Sequence, residues 1–134
     1  VNGRPSAEVI VAAAWRDVRR DAWVDGRLSA AAYAEPRLRR LFPWTGMGEL
    51  HFSRCTEKRW TWDIPYVAPA MGGGYRVSGP SRTQEVGVAA TAEEAIAMVV
   101  ERLPDGCGGA FPGTPEELAE YERGRAGGSG ARFA

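Results

Sequence analysis

The sequence predicts an α+β fold in which a four-stranded antiparallel meander is covered on one face by helices, a two-layer sandwich. Apolar residues recur at helical spacing toward both ends of the chain. Between residues 49 and 88 the period drops to two, and glycines and prolines break that stretch into short runs.

Ser6 can cap a first helix, because its hydroxyl can accept from a free backbone N–H of the opening turn. Val11, Trp15, Val18 and Ala22 follow at helical spacing, with Arg16, Asp17, Arg19 and Arg20 on the other faces. Gly26 ends this helix or follows its end. Ser29 opens a second stretch, "SAAAYAEPRLRRLF", in which Pro36 lacks an N–H and so suits the first turn of a new short helix. Leu38, Leu41 and Phe42 form its buried edge, and "PWTGMG" reads as punctuation.

Then the strands begin. "GELHFSRC" sets Leu50 and Phe52 against His51, Ser53 and Cys55, and "RWTWDIPYV" sets Trp60, Trp62 and Ile64 against Thr61 and Asp63. Pro65 marks an edge, a bulge or a strand end. "AMGGG" is a hairpin connection to "YRVSG", and "GPS" turns the chain into "RTQEVGV". Thr91 and Glu94 are spaced as a capping box for "AEEAIAMVVERL", which aligns Ile96, Val99, Val100 and Leu103. After the irregular loop "PDGCGGAFPG", Thr114 and Glu117 repeat the cap before "PEELAEYER". One domain over residues 1–123 and a flexible Gly-rich tail over 124–134 follow from this order.

The 134 residues suffice for a single core. Formal net charge is zero, which gives no pull toward nucleic acid or an anionic membrane. The apolar run Val9 to Trp15 is too short to span a bilayer. Cys55 and Cys107 match no disulfide or metal spacing, and with one histidine they make no closed zinc set. The expectation is a cytoplasmic protein with reduced thiols, no metal and no cofactor.

Trp60 and Trp62 read first as core and second as the wall of a pocket between sheet and helices. Trp44, Tyr66 and Tyr75 would supply further aromatic surface there, and Arg54 and Arg76 could clamp an anionic group. In the simplest register both tryptophans join Leu50 and Phe52 on the helix-covered face. The opposite phase collects His51 and Asp63, which on consecutive strands could meet as a general acid–base pair.

"PRLRRLFPWTGMGELHFSR", "YRVSG" and "EEAIAMVVERLPDGCGGAFPGT" together resemble an uncharacterised family of natural-product biosynthesis proteins from high-GC bacteria. The resemblance spans residues 30–115 and implies a setting in specialised metabolism, with no catalytic residue to carry over. Gly46 and Met47 depart from that family's pattern, so they take no role from it.

Two function classes follow, with a third behind them. The first is an accessory protein that holds a small-molecule or peptide intermediate in an aromatic pocket. The second is a small cofactor-independent enzyme using His51 and Asp63. The third is a protein–protein interaction module. Pathway enzymes and a second copy of the chain are the protein partners these readings leave open. The first is preferred, because the polar residues include no defined nucleophile or oxyanion device. Truncation after Arg123 is expected to leave the melting temperature nearly unchanged. A large loss on thermal melting of the shortened chain would mean that Phe133 docks.

Overall fold

Local capping chemistry begins each of the longer helices. The computed structural model describes residues 5–131, with side chains through Arg125. Ser6 accepts from the Val9 N–H and starts α1 (Ala7–Arg20), which buries Val11, Trp15 and Val18. Asp25 accepts from the Arg27 N–H and starts α2 (Gly26–Ala34), so this helix begins ahead of Ser29. The Asp25 carboxylate is a strong acceptor for an opening turn, and Ser29 turns its hydroxyl back to the Gly26 carbonyl instead. Pro36 opens the one-turn α3 (Pro36–Arg39).

The sheet has five antiparallel strands in sequential order: β1 (Phe42–Gly46), β2 (Glu49–Ser53), β3 (Tyr66–Pro69), β4 (Tyr75–Ser78) and β5 (Glu85–Ala89). The α+β class stands, with one strand more than the meander expected from the sequence. The additional strand is β1, which contains most of "PWTGMG". Pro43 is compatible with a strand here because β1 is an edge, where a missing N–H need not break a ladder. Met47 and Gly48, at φ 54° and 80°, form the two-residue connection that returns the chain into β2.

The stretch from Arg54 to Pro65 is a second departure. It alternates like a strand but runs as a loop, and regular pairing resumes only at Tyr66. The Ser53 hydroxyl accepts from the N–H groups of Cys55 (3.1 Å) and Thr61 (3.0 Å), while Thr61 Oγ1 accepts from the Arg54 N–H (2.9 Å). These side-chain bonds take backbone donors that a ladder would have used.

On the inner face, Leu50 pairs with Val67, Val67 with Val77, and Val77 with Gly87. Leu50, Phe52, Val67 and Val77 bury themselves there with Trp15, Leu28, Leu38, Leu41 and Val99. The Trp15 indole N–H finds the Leu41 carbonyl at 3.2 Å, which satisfies its one polar group inside the core. Tyr75 also faces inward, and its hydroxyl donates to Asp25 Oδ2 at 2.8 Å, tying β4 to the start of α2.

Two further helices complete the chain. Thr91 and Glu94 form the expected capping box of α4 (Ala92–Glu101), whose Ala95, Ile96 and Val99 enter the core. Thr114 and Glu117 exchange hydrogen bonds at the start of α5 (Pro115–Ala131), which continues past Arg123. The segment before it is stitched to the chain after β2. Phe111 N–H donates to the Arg54 carbonyl (2.8 Å), Thr56 N–H to the Phe111 carbonyl (3.1 Å) and Glu57 N–H to the Gly113 carbonyl (2.9 Å).

Thr91→Ala removes one half of the α4 capping box and is expected to cost about 0.5–2 kcal/mol of stability, measured by chemical denaturation. An unchanged midpoint would show that the hydroxyl contributes nothing to holding α4.

Candidate functional site

Because β2 alternates, Leu50 and Phe52 point into the core while His51 points to the face away from the helices. Register then decides its neighbours. Trp44 on β1 is the cross-strand partner of His51, and the pairing of Leu50 with Val67 brings Tyr66 alongside on β3. The rings stack. Trp44 and His51 have centroids 3.9 Å apart at 13°, and His51 and Tyr66 are 4.5 Å apart at 16°.

The 54–65 loop folds back over this face and extends the stack. Trp60 lies on Trp44 at 4.2 Å and 13°. Trp62 meets Trp44 (5.1 Å, 73°) and His51 (5.4 Å, 72°) edge-on. Cations close both ends, with Lys58 Nζ 5.8 Å from the Trp60 ring and the Arg82 guanidinium 4.9 Å from that of Tyr66. Each aromatic contact of this kind is worth about 0.5–1.5 kcal/mol beyond its buried area. Trp60 is held at φ 58°, a left-handed conformation that costs a bulky residue about 1–2 kcal/mol, so the stacking has an opposing strain to offset. At the far end, a Cβ on Gly79 (φ 103°) would come within 3.0 Å of the Tyr66 ring. Only glycine lets the chain pass there.

His51 is 3% exposed, and its Nε2 lies 2.9 Å from Glu49 Oε1. Arg82 holds the other Glu49 oxygen at 2.6 Å. Burial pushes the imidazole below its ordinary value and outweighs the upward pull of Glu49. Burial also raises the Glu49 carboxyl, but its bonds to Arg82 and His51 together hold it below the usual value. The pair is therefore a neutral imidazole donating Nε2–H to a carboxylate, which can only accept.

The His51–Asp63 pair expected from strand alternation is not made. Asp63 Oδ2 accepts from Arg54 Nε at 2.6 Å, and Arg54 also reaches Glu122 on α5 at 2.7 Å. The physical reason is the loop: with no ladder between residues 54 and 65, no register sets residue 63 opposite residue 51. Trp60 and Trp62 likewise leave the helix-covered face expected for them, since the fold-back delivers both to the outer face. Tyr75 is separated from the other rings by the sheet itself. Arg76 is a surface residue paired with Glu85 at 2.9 Å.

Trp44, Trp60, Trp62 and Tyr66 do come together, and His51 joins them as a ring rather than as a base. Glu49 and Lys58 also belong to the group, and Arg82 joins it through Glu49 and the Tyr66 ring. Reading Met47–Gly48 as a two-residue turn would have placed Trp44 opposite His51, since such a turn fixes register. The Arg82 contact has no such local signal.

Beside the stack, between α1 and the β1 edge, runs a groove of about 410 Å³ lined by Asp17, Val18, Asp21, Pro43, Trp44 and Trp60. Trp44 Nε1–H is buried and has no acceptor among the described residues. Trp62 is 49% exposed. Both cysteines are free, and burial pushes their thiols up, so neither is poised as a thiolate. Among the described residues no helix is long and apolar enough to cross a membrane.

These features define a small α+β protein that carries a stacked ring array on the outer face of its sheet. The chain belongs to a family of unknown function, DUF6193, whose match covers residues 9–114. No curated protein and no solved structure matches it.

The His51–Glu49 arrangement makes stability depend on pH. With the folded His51 below its ordinary value of 6.5, the unfolded chain binds a proton first as pH falls. The contribution is present above that value and is lost as pH drops through it toward the folded pKa. Glu49, depressed from 4.5, adds a further loss below that point. The urea midpoint is expected to be level from about pH 8 to about pH 7 and to fall below about pH 6.5. In His51→Gln the slope above the carboxylate range should vanish, and a slope retained there would assign it to another group.

Proposed function

We propose that this protein is an accessory binding protein of a bacterial natural-product pathway that holds a small-molecule or peptide intermediate against the surface built by Trp44, Trp60 and Trp62. One observation carries the reading: a loop bound to the sheet through Ser53 and Thr61 keeps two indoles at the surface instead of in the core. Exposed indole faces beside a groove offer a ligand large contact area at little entropic cost. Asp17 and Asp21 stand on the rim against one cation, Arg20, and this excess of one carboxylate favours a ligand with a positive group.

The pathway setting rests on the resemblance in sequence, and pathway enzymes are the partners it brings. A cytoplasmic location is consistent with two free thiols. The enzymatic alternative loses its acid–base pair, since His51 is enclosed between Trp44 and Tyr66 and Asp63 is bound to Arg54.

Calorimetric titration with tyramine, a planar aromatic cation, tests the reading. Trp62→Ala is expected to weaken binding by about tenfold, or about 1.4 kcal/mol, in a variant that still melts cooperatively. Trp60→Phe should weaken it less. Equal affinity in the parent chain and both variants would overturn the proposal.

A further inference from the structure

A second groove lies away from the ring stack, where the first half of α1 faces α3 and the 109–110 segment. It encloses about 490 Å³, and Val11, Ala12, Trp15, Tyr33 and Ala110 give it an apolar lining. That volume lies in the range of small-molecule sites. Trp15 and Tyr33 meet edge-on at 5.5 Å on its floor.

Its charges are one-sided. Arg39 and Arg40 line the groove against a single carboxylate, that of Glu8. Arg37, two residues before Arg39, pairs with Glu35 (3.5 Å), but among the described residues neither Arg39 nor Arg40 has a carboxylate partner. Each is instead anchored on a backbone carbonyl: Arg39 on that of Tyr33 (3.1 Å) and Arg40 on that of Cys107 (2.7 Å). A guanidinium has five N–H donors in a planar fork, so anchoring by one nitrogen leaves others for a ligand. The Arg39 guanidinium also lies 5.4 Å from the Tyr33 ring centroid, and that of Arg19 lies 4.5 Å from it. Arg39 and Arg40 are themselves exposed, so their remaining donors are open to an incoming anion at the edge of the apolar lining.

We propose that this groove binds an apolar carboxylic acid, with its body over Val11, Ala12 and Ala110 and its carboxylate on Arg39 and Arg40. The site is independent of the Trp44–Trp60 surface and takes a ligand of opposite charge.

The test is an amide NMR titration of the full chain with decanoate, with decanol as the uncharged control. Decanoate should saturate, with shifts concentrated in residues 7–15, 33–40 and 109–110, and decanol should bind at least about tenfold more weakly. Ala12→Trp adds bulk at an exposed helix position and is expected to block decanoate with little change in melting temperature. Arg39→Gln should weaken decanoate by about fivefold or more, and Arg39→Lys by less, since a point charge keeps the attraction but loses the fork. Trp62→Ala should leave decanoate binding unchanged, which separates this site from the tryptophan surface. Non-saturating shifts, shifts scattered over the molecule, equal binding of decanol, or full binding by a folded Ala12→Trp variant would each overturn the proposal.

Discussion

Strand β2 is buried on both faces, and the outer half of the molecule is organised around that constraint. Leu50 and Phe52 enter the helix-covered core, while His51 and Ser53 are buried on the other side. A polar side chain without solvent needs hydrogen-bond partners, and a net cost of about 1–3 kcal/mol attends each one left without. Ser53 finds its partners in the N–H groups of Cys55 and Thr61, which obliges the chain after β2 to double back. His51 finds Glu49, which in turn holds Arg82 from the β4–β5 connection.

The fold-back has consequences at both of its ends. It lays Trp60 on Trp44 and sets Trp62 across the edge of the stack. It also turns Arg54 toward Asp63 within the loop and toward Glu122 on α5, and the second of these two ion pairs joins the loop to that helix. The Arg54 side chain is largely buried, and its carboxylates raise its pKa against the downward pull of desolvation. Such a bridge fixes geometry more than it adds stability, because removing the ions from water offsets much of their attraction. Loop, α5 and the 104–113 segment therefore hold one another in place, although none belongs to the sheet.

The two grooves differ in chemistry because they lie on different sides of α1. At its C-terminal end, Asp17, Arg20 and the capping residue Asp21 border the edge of β1 and the indoles of Trp44 and Trp60. Along its N-terminal half, the same helix turns Val11, Ala12 and Trp15 toward two arginines that follow α2. A helix brings residues three and four apart onto one side, so α1 can serve the core with Val11, Trp15 and Val18 and still border both grooves. A binding role asks for rigid aromatic surface with a few oriented polar groups, and both places offer that.

The sequence by itself determined the α+β class, the caps at Ser6, Thr91 and Thr114, and the inward direction of Leu50 and Phe52. These rest on chemistry between residues a few positions apart, which the spacing of letters records directly. Trp44, Trp60, Trp62 and Tyr66, grouped by the sequence between sheet and helices, do lie together but on the outer face, and Tyr75 stands apart because its inward direction depends on the register of β4. The tertiary structure alone decided that Phe42–Gly46 is a strand, since Pro43 is compatible with pairing only because β1 lies at a sheet edge. It alone decided that "RWTWD" is a loop, because the alternation of Trp60 and Trp62 is the pattern of a strand. What broke that pattern was the Ser53 hydroxyl taking the Thr61 N–H from eight residues away, a competition for donors that hydrophobic period does not register. The face of the sheet on which the tryptophans lie, and with it the partner of His51, was settled by that one fold-back.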